Sequence, residues 1–472
     1  MGAALAAAGC GRRQAWRASQ PKSPHVYTES GTAFLKAVDP RTYRRMGSPA
    51  AGDAVLLVEL VGMAAMGSSE ARLLGAGVIA SPGASYVQGI SLAAPGLSEW
   101  AAQGKEEPLK PLWPSVDPHQ HLVDPPLSEP GTMTGPSVVH SFGLRVAGCS
   151  YPHKEMRKDL AGSGVLCTVC IERSYAYLPI LGGLHNPGGV DVAAATETGL
   201  IAATALVHAV PMAVVGFADL RRGRGDVRRQ VNSLRQITGN LVGVRHSLNW
   251  HPTAALVSQS NIGQDKEASA TAAFREGVSV VAELGLCFEA DVFQTNLDEL
   301  ARLASSCPKA RIVCGSAGGP LGCAAAGFSL EASLPEWRRG ISRLAACGNV
   351  HIKLCGLGRP QAGFGWDERE KPPSSSELAE AYRPLVAHCL EAFGPQRCLF
   401  ASDFPSDKAA GSFPNLWNAF RKLAAELLPG DEAAQRALFY DNAVRLYDLT
   451  RHPFNLPPTS AEAEADEELP RY

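Results

Sequence analysis

Residues 286–316 read LCFEADVFQTNLDELARLASSCPKARIVCGS, two short apolar runs (286–290 and 311–314) on either side of a helical pattern over 296–306. A short continuous apolar run suits a strand buried on both faces, and such strands pair in parallel sheets whose crossovers are helices. The stretch is one β-α-β unit. Working outward, the same kind of run recurs at 113–119, 165–171, 212–217, 241–245, 350–354 and 398–402, which makes eight predicted strands. Helical periodicity is clearest over 272–284, 296–306, 334–346 and 376–393, with 415–428 and 431–447 after the last strand. Eight units with right-handed crossovers close as a barrel or open as a doubly wound sheet, and the count of eight favours a (β/α)8 TIM barrel, class α/β.

Composition narrows the function classes. With 45% hydrophobic and 19% charged residues, the chain of 472 can bury a large core. A net charge of −2, with no arginine-rich stripe read in the helical segments, argues against nucleic acid as a partner. The apolar stretch 54–66 is too short for a bilayer and contains Glu59, so no membrane partner is expected. Twelve scattered cysteines read as reduced thiols of an intracellular protein. The single CxxC, Cys167 to Cys170, lies inside a strand run, where residues three apart point to opposite faces and ordinary core packing outweighs a redox or zinc role.

Residues 1–28 have basic, alanine and serine residues and no acid before Glu29, a composition suiting an organellar transit peptide or an alanine-rich leader. Localisation is then cytoplasmic or organellar. Residues 29–109 form an extension without an assignable fold, 110–450 the barrel, and 451–472 an acidic tail expected to be solvated.

In a barrel of this kind, polar residues ending the strands converge on one mouth. They include Asp117, His119 and His121, then Glu172, Asp219, Arg245, His246, Glu289, Asp291, Ser316, Lys353 and Asp403. In the run DPHQH (117–121), the two histidines share a strand face and bring both imidazoles to one metal or substrate. With 12 histidines in the chain, chance supplies about 0.3 HxH pairs, so its weight comes from its place at the first strand. Each residue also has a plainer reading: His246 as a buried core histidine, Arg245 as the partner of a structural carboxylate such as Glu289, Asp403 as a loop cap, and Lys353 as a strand residue outside the site.

The segments VDPHQHLVD, GVRHSLNW, LGLCFEADVF, IVCGSAGGPLG, NVHIKLCGLG and PPSSSELAEAYRPLVAHCLEAFGPQRCLFASDFPSDK resemble the amidohydrolase type 2 family, in its lactonase branch with fuconolactonase and pyrone dicarboxylate lactonase. The resemblance runs in order from Asp117 to Leu449. It implies hydrolysis of a small lactone or related cyclic carbonyl compound by activated water. His119, His121 and Asp403 would hold a divalent metal, zinc or manganese, with Asp403 and His246 catalytic and Arg245, Glu289 and Ser316 beside the substrate. The sequence departs from the family where a histidine precedes the Gly-Gly-Pro turn, since Ser316 stands there, and after the fifth strand, at residues 291–296. A neutral hydroxyl is a poor metal ligand, so the ion is expected to be weakly held or absent. The alternatives are an amidohydrolase-like barrel with a binding role, or a metal-dependent decarboxylase; oligomeric state is not legible.

Overall fold

The structure is a computed structural model that describes residues 97–122, 151–173, 187–210, 212–252, 268–324 and 327–460. Eight parallel strands follow one another in chain order: β1 (Ser115–Gln120), β2 (Val165–Ile171), β3 (Met212–Phe217), β4 (Leu241–Ser247), β5 (Cys287–Asp291), β6 (Arg311–Cys314), β7 (Val350–Leu354) and β8 (Cys398–Phe400). Helices lie between successive strands, as in a TIM barrel. The ring closes at the seam of β1 and the segment after β8, where Asp403 N–H donates to His119 O and His121 N–H to Phe404 O, each at 2.8 Å. Closure therefore brings the HxH run against Asp403.

Alternation along each strand separates two cores. Val116, Cys167, Val169, Val215, Cys287, Val313 and Leu399 pack with Tyr440 and Tyr447, while Val214, Val244, Phe288, Ile312, Ile352 and Phe400 pack in the larger layer with the helices. Cys167 and Cys170 fall into different cores, as three-residue spacing requires, and both are unpaired.

Most strand positions match the apolar runs within two residues. The helix expected from 334 begins at Leu330, because the Ser329 side chain accepts from Ala332 N–H, a cap that a periodicity count does not register. The helix expected over 431–447 is broken by a π-turn at Ala437–Asp441. The structure also corrects the reading of helix charge. Helix Gly223–Ile237 carries Arg224, Arg228, Arg229 and Arg235, but Glu283 pairs with the first two, Asp226 with the third, and Leu284 O with the fourth. Helix Pro187–His208 contains a 19-residue span apolar enough to cross a membrane by length and composition, longer than the stretch found in sequence. It packs Val190, Ala193, Ala194 and Ile201 into the outer barrel core.

Both ends of the barrel domain extend past the expected boundaries. Glu106 accepts from Ser375 N–H at 2.7 Å in the first turn of helix Ser375–Phe393, whose cap is Ser374, while Asn415 and Asn418 of helix Phe413–Leu427 bond the backbone at 104–109. Leu97–Gln103 is a further helix. Beyond 450, Phe454 and Leu456 pack against the inner core, and Ser460 Oγ donates to Asp441 at 2.8 Å. The parts of the proposed leader, extension and acidic tail at 1–96 and 461–472 lie outside the described residues.

Candidate active site

His119, His121 and Asp403 converge at the closing seam. Nε2 of the two histidines are 3.2 Å apart, and each lies 3.4 Å from Oδ1 of Asp403. Among the described residues this is the group of histidine, cysteine and acidic side chains placed to share a metal ion. His121 Nδ1 lies 3.0 Å from Ile171 O, and a donor there leaves Nε2 as a bare acceptor. His121 Nε2 and the ionised Oδ1 of Asp403 are both acceptors in a buried site, so either a proton on His119 Nε2 or a cation lies between them. The three separations also match the edge of a tetrahedral zinc site, about 3.3 Å for ligand distances near 2.0–2.1 Å. The residues fit the ion that the resemblance implies.

Asp403 is fully buried and held from its other side by Arg359, which donates Nε to Oδ2 at 2.5 Å and Nη2 to Oδ1 at 2.9 Å. Burial alone would raise the carboxyl, but the Arg359 charge and the two imidazoles hold it far below the ordinary carboxylate range. Burial lowers both His119 and His121, so they stay neutral at physiological pH. Arg359 sits in the loop after β7. Asp407 accepts the N–H groups of Gly356 and Gly358 in that loop at 2.9 and 3.1 Å.

A pocket opens beside Arg359, the residue that holds Asp403. Asn249, Asp291, Ser316 and Arg359 give it polar groups, and Phe293 and Pro320 an apolar wall. Asn249 donates to Asp291 Oδ2 at 3.1 Å, and Ser316 Oγ lies 3.5 Å from Asp291 Oδ1. Ser316 thus lines the pocket and faces Asp291.

The other sequence candidates are engaged with other partners, although the charges of Arg245 and Lys353 act on His119. Arg245 points into the barrel, but its Nε and Nη2 are taken by Glu172 Oε1 and O at 2.6 and 2.5 Å. The structural carboxylate is therefore Glu172 and not Glu289. Glu289 is buried deeper, accepting from Lys353 Nζ at 2.6 Å and Tyr447 OH at 2.5 Å, which also places Lys353 inside the barrel. His246 faces the helix layer: Nδ1 is 3.2 Å from Ala218 O, and the ring packs edge-on against Phe274. Neighbouring residues on a strand point to opposite faces, so Arg245 inward fixes His246 outward. Sequence reasoning missed Arg359, Asp407 and Glu197. Glu197 on helix Pro187–His208 accepts from Arg173 N–H, and burial with the nearby Glu172 pushes its carboxyl up to about 8.

Similarity to known proteins agrees with this architecture. The sequence profile of the family described as Amidohydrolase matches residues 179–449, a span that begins after the HxH run. An uncharacterized protein, y4mH, of Sinorhizobium fredii is 30% identical over 267 residues, 56% of this chain and 76% of that protein. An L-fucono-1,5-lactonase of Burkholderia multivorans is 28% identical over 54% of this chain and 77% of its own. The crystal structure of an amidohydrolase from Burkholderia multivorans with bound zinc superposes with a TM-score of 0.55 at 22% identity, covering 71% of this chain and 99% of that one.

Proposed function

We propose, from the premise that this chain belongs to the amidohydrolase family, that it hydrolyses a small lactone or related cyclic ester at the mouth of its barrel. The observation that carries this reading is the convergence of His119, His121 and Asp403 behind Arg359, whose side chain also lines a pocket with Asn249, Asp291 and Ser316. The Nε2 atoms of the histidines and Oδ1 of Asp403 would hold a divalent ion, whose chemistry is Lewis-acid activation of water and carbonyl. Asn249, Asp291 and Ser316 offer hydrogen bonds to an oxygen-rich ring, and Phe293 and Pro320 a face against which it packs. Water attacks the lactone carbonyl carbon; the Asp403 carboxylate takes its proton and passes it to the ring oxygen as the carbon–oxygen bond breaks. The low proton affinity of Asp403 favours passing the proton on over retaining it. The product is a hydroxy acid.

The test is a pH-stat screen of sugar and aromatic lactones with the purified protein, alongside elemental analysis. Acid release above the spontaneous rate for at least one lactone is expected. Carbon dioxide release from aromatic acids without lactone hydrolysis would assign a decarboxylase instead, and neither reaction would leave a binding barrel.

A further inference from the structure

Arg359 stands between two carboxylates. Its Nε and Nη2 take both oxygens of Asp403, and its Nη1 lies 3.9 Å from Oδ1 of Asp291. The Asp403 Oδ1 that receives Nη2 is also the atom facing the two histidine Nε2 atoms at 3.4 Å. Asp403 supplies the single negative charge among the three candidate ligands, and the guanidinium already balances it. The arginine is not a loose surface group, being 8% exposed. Its loop is wedged: a Cβ on Gly356 would come within 2.8 Å of Ser316 Cβ, and one on Gly358 within 2.6 Å of Ala410 Cβ. Asp407 fixes the same backbone through two N–H groups. Besides Asp403, the carboxylates of Asp291 and Asp407 act on the guanidinium, and Asp291 is the one that shares the pocket with it.

We infer that Arg359 is a resident counter-cation for Asp403 that competes with the divalent ion of the proposed site, shifting toward Asp291 when the ion is held. The inference rests on the metal-site reading of His119, His121 and Asp403. With the guanidinium in place, an incoming dication meets a ligand set of no net charge; without it, the set carries one negative charge. At such short range the repulsion between the two cations outweighs the loss of one orienting hydrogen-bond partner, because charges a few ångströms apart in a buried site are weakly screened. Arg359 therefore sets a low metal affinity, and Asp291 moderates it.

The test is a zinc titration of the full chain against a chromophoric chelator, for the parent, Arg359→Gln, Arg359→Lys, Asp291→Asn and a His119→Ala/His121→Ala double variant. Arg359→Gln should bind zinc tighter by about ten-fold or more, since the repelling charge is gone. Arg359→Lys, which keeps the charge, should stay within about three-fold of the parent. Asp291→Asn should bind more weakly, because the displaced guanidinium has lost its second partner. The double variant should lose the site. If Arg359→Gln binds equally or more weakly while the double variant loses binding, the inference is overturned and the metal site stands. Binding by the double variant equal to the parent's overturns the metal site itself. Should Arg359→Gln fail to fold alone, it is refolded with zinc: rescue by the ion supports the exchange of one cation for another, and a chain still unfolded with zinc present contradicts it.

Discussion

Arg245 and His246 show how one residue step along a strand decides a role. Read as neighbours at a strand end, they suggest a pair beside a substrate, but alternation sends Arg245 inward onto Glu172 and His246 outward onto Ala218 and Phe274. The pairing carries a prediction. Arg245→Met removes the guanidinium that pairs with Glu172, buried beside Glu197, and removing one member of a buried ion pair costs about 3–5 kcal/mol. Urea unfolding should show a loss of that order, whereas a change below about 1 kcal/mol would mean that the pair is screened like a surface one. His119, His121 and Asp403 were legible because each follows or ends an apolar run and carries a chemistry-bearing side chain. Arg359 was not, since it lies beyond the end of β7 in a glycine-rich loop, and its partner is 44 residues away.

At the level of elements, strands were more legible than helices because burial on both faces leaves a continuous apolar run, whereas helix ends depend on single side chains. Ser329 and the π-turn at Ala437–Asp441 are such local features. Helix Pro187–His208 brings a further consequence through Glu197, whose carboxyl is pushed up to about 8 by burial and by Glu172. A carboxyl that titrates higher folded than unfolded keeps its proton in the native state while the unfolded chain has released it. Between the ordinary glutamate value of 4.5 and about 8, the folded state binds more protons, so this group makes stability fall as pH rises through that window. Stability by urea unfolding should therefore drop between pH 5 and pH 8.5 in the parent, and the drop should shrink in Glu197→Gln. An equal drop in both would locate the titration elsewhere.

At the scale of the molecule, the eight-unit repeat made the barrel legible while its edges were not, because the flanking segments are tied on by isolated polar contacts and not by periodic ones. Glu106 on Ser375 and Asn415 on Gly104 are of this kind. Deleting residues 1–96 keeps every one of these contacts and should leave a cooperatively unfolding barrel. Deleting 1–109 removes the Glu106 bonds to Ser375 at the start of helix Ser375–Phe393 together with the Asn415 and Asn418 bonds and should lower the melting temperature by several degrees. Thermal circular dichroism of the two truncations compares them directly, and equal melting temperatures would show that the arm contributes nothing. In the proposed function, Asp403, set between two imidazoles and a guanidinium, makes this barrel mouth hydrolytic. The most direct test is the rate of acid release from the lactone that the parent turns over best, measured beside Asp403→Asn at equal zinc and with both proteins verified as folded. The buried Arg359 loses its charged partner in that variant, so some stability is lost as well. A fall in turnover of about 10² or more, with the remaining Asp403→Asn protein still cooperatively folded, is the predicted result; turnover within a few-fold of the parent would contradict it.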